Sequence, residues 1–174
     1  MKILSRAILT FGLCLGIAGF ALAQASPEAM LRIVGQVESP QTFTMEAFRA
    51  LPHETLKVLD VHSGKTDVYE GVPLLTLLAK AGAPLGEKLR GKTMPTMVLA
   101  EATDGYRVAF ALAELDAGLG DVRVLVADKV NGAPMDAEHG PWRLVVPSDK
   151  RPARWIRNLT TLRLVLPAAE PAAK

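Results

Sequence analysis

The sequence predicts an α+β fold, a single domain built around a mixed, mostly antiparallel sheet with short helices. Three observations lead there. Segments of alternating or continuous apolar character outnumber those of helical period. The helical segments are short, and successive strands are joined by Asp-Gly and Asn-Gly turn signals rather than by the strand–helix–strand rhythm of a parallel sheet. No internal repeat is visible.

Residues 1–25 read as a signal peptide. Lys2 and Arg6 supply a positive start, Ile8 to Leu22 is an almost uninterrupted apolar run, and Ala21-Leu22-Ala23-Gln24-Ala25 offers cleavage after Ala23 or Ala25. The run is short for a bilayer span, so the expectation is a periplasmic or secreted protein with no membrane span after cleavage. Cys14, the one cysteine, lies inside this run and leaves with it.

Cleavage sets charge and redox chemistry together. Lys2 and Arg6 are two of the 20 basic residues, and all 18 acidic residues follow residue 25, so the mature chain carries 18 of each sign. A neutral chain lacks the cationic surplus that nucleic-acid binding requires. A cysteine-free one excludes disulfides, a CxxC redox site and a thiolate metal site. Residues 26–166 are enough for one domain with a real core, and Pro167 to Lys174 reads as a frayed, Ala- and Pro-rich tail.

Along the domain, Leu31 to Val37 reads as a strand closed by Pro40. Thr44 is placed to cap a short helix with Met45, Phe48 and Leu51 on one face, stopped by Pro52. Thr55 to Val61 is a strand. Pro73 opens the clearest helix, in which Leu74, Leu77, Leu78 and Ala81 recur at helical spacing until Gly82 ends it. Thr96 to Ala102 and Tyr106 to Phe110 form a hairpin about Asp104-Gly105, followed by a helical turn over Ala111 to Asp116. Val122, Val124 and Val126 alternate as a strand running to the Asn131-Gly132 turn. Trp142 to Val146 is a buried strand ended by Pro147, and Leu162, Leu164 and Leu166 alternate along the last one.

Three stretches, in this order and spacing, resemble the molybdopterin-binding domain of the sulfite oxidase family. They are Tyr69-Glu70-Gly71-Val72-Pro73-Leu74, Ala102-Thr103-Asp104-Gly105-Tyr106, and Asn131-Gly132-Ala133-Pro134 running into His139-Gly140-Pro141-Trp142-Arg143-Leu144-Val145-Val146-Pro147, continued by Lys150-Arg151-Pro152-Ala153-Arg154-Trp155-Ile156. The resemblance implies a mixed α+β domain that clasps a pterin dithiolene carrying molybdenum, in proteins that oxidise sulfite or reduce sulfoxides and similar small oxyanions. One departure matters. Catalytic members hold molybdenum through a cysteine upstream of the Gly-Val-Pro-Leu helix start, where this chain reads Leu56-Lys57-Val58-Leu59-Asp60-Val61-His62-Ser63-Gly64. Neither aspartate nor serine replaces a soft thiolate.

Candidate site residues follow from chemistry and resemblance together. Lys150, Arg151, Arg154 and Arg157 crowd one loop beside Trp155, and the resemblance places a pterin phosphate there, which guanidinium groups would hold by paired hydrogen bonds. The alternative is a solvated loop. Asp60 and His62, with one residue between them on a strand, share a face near the place of the missing cysteine. His139 either lines the site or fixes its own loop, and Tyr106 either lines a pocket or follows from turn chemistry. Arg143, the one charge in an apolar strand, either faces solvent or reaches into the cleft. Ser63 and Ser148 lack the G-x-S-x-G setting of a serine hydrolase.

The expected function is therefore an exported binding module of this fold, non-catalytic for want of the molybdenum thiolate. Its cleft would take a small anion, a pterin-like ligand or a periplasmic protein partner. The rival is a molybdopterin-dependent oxidoreductase with non-cysteine metal coordination. The residues by themselves imply no cofactor; molybdopterin enters only through the resemblance.

Overall fold

The computed structural model describes residues 29–59 and 64–168. The predicted signal peptide, Asp60, His62 and the end of the tail lie outside them. The strands are β1 (Met30–Gly35), β2 (Gln41–Thr44), β3 (Glu54–Leu59), β4 (Thr66–Pro73), β5 (Met97–Ala102), β6 (Arg107–Ala111), β7 (Leu125–Val130), β8 (Ala133–Pro134), β9 (Arg143–Val145) and β10 (Leu159–Val165). The α-helices are α1 (Met45–Arg49), α2 (Leu74–Lys80) and α3 (Leu112–Leu115).

These strands make two sheets where the sequence pattern suggested one. The first runs β2-β1-β10-β5-β6; the second runs β3-β4-β7-β8, with β9 also paired to β7. Among the described strands only β1 and β10 pair in parallel, in the register Ile33 to Leu162. The α+β class with a mixed, mostly antiparallel arrangement is thus the observed one. The main core lies between the sheets: Leu31, Ile33, Val98, Phe110 and Leu162 from the first meet Val72, Val126 and Leu144 from the second.

The local signals act as their chemistry demands. Thr44 caps α1, its Oγ1 accepting from the Ala47 amide at 3.2 Å, and Phe48 is fully buried. Leu74, Leu77, Leu78 and Ala81 are all buried along α2, so truncating one of the leucines to Ala costs about 2–5 kcal/mol. Pro73 sits one position earlier than expected, ending β4 and flanking the helix, and Gly82 follows the helix at φ +74°. Gly71 is required by close approach, since a Cβ there would lie 2.1 Å from the Val126 carbonyl oxygen, at the irregularity between β4 and β7. Asn131 (φ 52°) and Gly132 (φ 79°) make the tight β7–β8 turn.

Two expectations shift. β2 was not expected, and it adds an antiparallel edge to β1. β7 begins at Leu125 rather than Val122 because the preceding residues hold helix ends instead of a strand neighbour: the Val122 amide donates to Glu114 at 2.8 Å, and the Val124 carbonyl accepts from Leu74 at 2.8 Å.

Candidate functional site

Strand alternation gives the second sheet two different faces. Val126, Leu144 and Val146 point into the main core, whereas Leu125, Ala127, Val145 and Tyr69 form a smaller cluster on the opposite face. Leu56, Val58, Met135 and Trp155 pack against that second cluster. Arg143 has the parity of Val145 and pairs with Ala127 across β9 and β7, so it too belongs to the outer face. Here the sheet and the loop after β9 enclose a cleft of about 440 Å³ lined by Val58, Leu59, Asp67, Tyr69, Arg143, Pro147, Asp149, Lys150, Pro152 and Trp155.

Arg143 is the chemically conspicuous member. Its guanidinium carbon lies 5.9 Å from the ring centre of Tyr69 and 5.6 Å from that of Trp155, within reach of both quadrupoles. The two rings meet edge to face at 5.9 Å. Arg143 Nε is shielded from solvent and has no hydrogen-bond acceptor among the described residues. Such a buried donor is costly to leave unpaired. Among the described residues the other unpaired buried side-chain donor is Trp142 Nε1, which belongs to a side chain enclosed in the main core.

The basic loop divides its cations. Arg154 donates from Nε and Nη2 to the two carboxylate oxygens of Asp149, at 2.9 and 2.6 Å, and from Nη1 to Glu114 of α3 at 3.0 Å. Its guanidinium also lies 4.6 Å from the centre of the Phe110 ring. The Asp149 hydrogen bonds, chiefly, hold its pKa above the ordinary arginine value. Arg154 is thus committed to carboxylates, and it does not line the cleft. Arg157 is likewise paired, with Glu138 at 2.9 Å. Lys150 lines the cleft, whereas Arg151 is exposed outside it, and neither has a carboxylate partner among the described residues.

Two further residues anchor the loop. The Tyr106 hydroxyl donates to the Ala153 carbonyl at 2.8 Å, and Trp155 Nε1 donates to the Val146 carbonyl at 3.0 Å. Tyr106 therefore steadies the loop from the β5–β6 hairpin without entering the cleft, while Trp155 both anchors the loop and forms a wall.

His139 stands apart from the cleft. Its Nδ1 lies 2.8 Å from Asp136 Oδ1, and its amide donates to the same oxygen at 2.9 Å. The His139 hydrogen bond holds the Asp136 carboxyl below its usual pKa. Of the candidates named from the sequence, the structure brings Arg143, Lys150 and Trp155 to one cleft and leaves Arg151, Arg154, Arg157, Tyr106 and His139 outside its lining. Asp60 and His62 fall outside the described residues, although Leu59 and Asp67, on either side of them in sequence, both line the cleft.

Sequence reasoning missed Tyr69, Asp67 and the apolar wall. Tyr69 was legible only as part of a motif, because its neighbour Arg143 comes from a strand more than seventy residues away. A second unforeseen group is Asp128, buried on β7, which pairs with His53 Nε2 at 3.2 Å and Arg49 Nε at 3.4 Å. It ties the α1–β3 turn to the second sheet. A smaller depression of about 260 Å³ beside β3 carries the Arg123–Glu54 ion pair (2.7 Å) on its wall. Among the described residues no group of three or more His, Cys, Asp or Glu is placed to hold a metal ion, and no helix is long and apolar enough to cross a membrane.

Comparison with known proteins agrees with this architecture. The family model described as the oxidoreductase molybdopterin binding domain matches residues 22–167. Among solved structures, the sulfane dehydrogenase SoxCD from Paracoccus pantotrophus is similar at 26% identity and a TM-score of 0.63, over 82% of this chain and 39% of that one. This chain thus spans well under half the length of that relative. No curated protein matches it.

Proposed function

Given that the chain belongs to the oxidoreductase molybdopterin-binding domain family, we propose that it is an exported, non-catalytic member that uses its cleft to bind a small anion or a phosphate-bearing, pterin-like ligand. One observation carries this reading. Arg143 Nε is buried and unpaired in a residue that lines the cleft, and Lys150 lines the same cleft without a carboxylate partner among the described residues. An oxyanion would satisfy the guanidinium with charge-assisted hydrogen bonds.

The fit to the family's cofactor is partial. An anionic phosphate suits Arg143 and Lys150. The metal does not suit the donor set: no cysteine follows Cys14, and Asp149, one of the two carboxylates lining the cleft, has both oxygens held by Arg154. We therefore assign no redox step to this chain.

Elemental analysis tests the reading. Protein made in a host that synthesises molybdopterin should contain well under one molybdenum per chain, yet bind inorganic phosphate with an affinity that weakens as salt rises. Stoichiometric molybdenum would instead favour the oxidoreductase. Export is tested by N-terminal sequencing of the secreted form, which should begin at Gln24 or Ser26; a retained Met1 would refute it.

A further inference from the structure

We propose that the outer face of the first sheet is a docking surface for a short, acidic, amphipathic helix of a partner protein. This face lies across the main core from the cleft, and neither site depends on the other.

Strand alternation sets the composition of the face. Leu31 and Ile33 of β1, Val98 and Ala100 of β5, Val108 and Phe110 of β6, and Leu162 and Leu164 of β10 point into the core, so the residues between them point out. One outward row across the sheet reads Val34, Arg163, Leu99, Ala109, and the next reads Val165, Met97, Ala111. The solvated face of an antiparallel sheet ordinarily carries polar residues. Here every member of the two rows except Arg163 is apolar, and none of those apolar residues belongs to either buried cluster. A contiguous apolar patch with a polar rim marks an interaction surface.

The rim selects the partner's charge. A third row, Arg32, Thr161, Glu101, Arg107, borders the patch along one side. Glu101 is occupied by Arg163, whose Nε donates to it at 3.1 Å, which leaves exposed Arg32 and Arg107 without a carboxylate partner among the described residues. That surplus favours an acidic partner and opposes a second copy, which would bring the same surplus. Area points the same way. With strands ~4.8 Å apart and residues of one face ~7 Å apart along a strand, the two apolar rows cover on the order of 200–300 Å², whereas a stable dimer buries about 800 Å² on each partner. A helix of about 10–14 residues lying across β1, β10, β5 and β6 matches that footprint, with one flank along Arg32 and Arg107. Composition separates a protein from a lipid surface: protein interfaces are rich in Met and Arg and poor in Lys, and the three rows hold Met97 and three arginines but no lysine.

Two synthetic helices of about 14 residues with the same leucine stripe make the test, one with glutamates along its flank and one with lysines at those positions. Each is titrated by NMR into the isotope-labelled protein. The glutamate helix should bind about tenfold or more tightly than the lysine helix and shift amides of β1, β5, β6 and β10. Leu99→Ser should weaken it by about fivefold, and Arg32→Glu with Arg107→Glu should reverse the preference, with urea midpoints close to wild type showing that the variants are folded. Equal affinity for the two helices, binding of neither, or shifts confined to other strands would overturn the proposal. Self-association through these strands without helix binding would assign the face to a second copy instead, and binding to phosphatidylglycerol vesicles without helix binding would assign it to a lipid surface.

Discussion

The clip around Arg154 and the cleft around Arg143 use the same residue type at opposite ends of one loop, and they differ in what meets the guanidinium. Arg154 is met by Asp149 and Glu114, with Phe110 beneath it. Arg143 is met by two aromatic rings, and its Nε has no acceptor among the described residues. The first is a positive charge already spent on holding chain segments together. The second remains available. Charge clustering along the sequence cannot tell these apart, because availability depends on partners that folding brings in from α3, β4 and β9.

The two arginines should differ most in stability. Arg154→Met should destabilise the domain by about 1–3 kcal/mol in chemical denaturation, since it leaves half-buried Asp149 and Glu114 without their partner; the sites' partial exposure keeps the cost below that of a fully buried pair. Arg143→Met should leave stability within about 1 kcal/mol of wild type, because it removes an unpaired donor rather than a bond. Equal losses in the two variants would erase the distinction.

Smaller effects sharpen it. Lys150→Ala should weaken phosphate binding by about two- to fivefold without altering stability, as expected for one exposed charge, and the deficit should shrink at high salt. The smallest effect belongs to the exposed Asp136–His139 turn. Because His139 lowers the folded-state pKa of Asp136, its contribution is fully present above the ordinary aspartate value near pH 4 and is lost as pH falls through the lower folded value. Urea midpoints of wild type and Asp136→Asn should therefore differ slightly at neutral pH and converge in acid.

How much of this was legible beforehand follows the reach of each signal. Local chemistry was readable: the Thr44 cap, the leucine face of α2, the Asp104-Gly105 and Asn131-Gly132 turns, and the order of most strands all rest on neighbours within a few residues. The division into two sheets was not, because β1 pairs with β10 across nearly the whole domain. Nor was the face of Arg143. Trp142 to Val146 is apolar on both sides, since the second sheet has the main core on one face and the Tyr69 cluster on the other, so no alternation marked which face the arginine took. The loop of Lys150, Arg151, Arg154 and Arg157 was recognised as basic, but Asp149 and Glu114 decide that Arg154 is structural. The family resemblance pointed to the stretch that contains Arg143 and Lys150, and the sequence left open whether Arg143 faces solvent or the cleft.

The most direct measurement is a calorimetric titration of phosphate into wild type, Arg143→Met and Arg154→Met at low and moderate salt, under conditions where all three are folded. The account predicts that Arg143→Met loses at least tenfold in affinity, the worth of a charge-assisted hydrogen bond at about 1.5–3 kcal/mol, while Arg154→Met keeps affinity within a fewfold of wild type. Undiminished binding by Arg143→Met, or its loss in Arg154→Met alone, would contradict it.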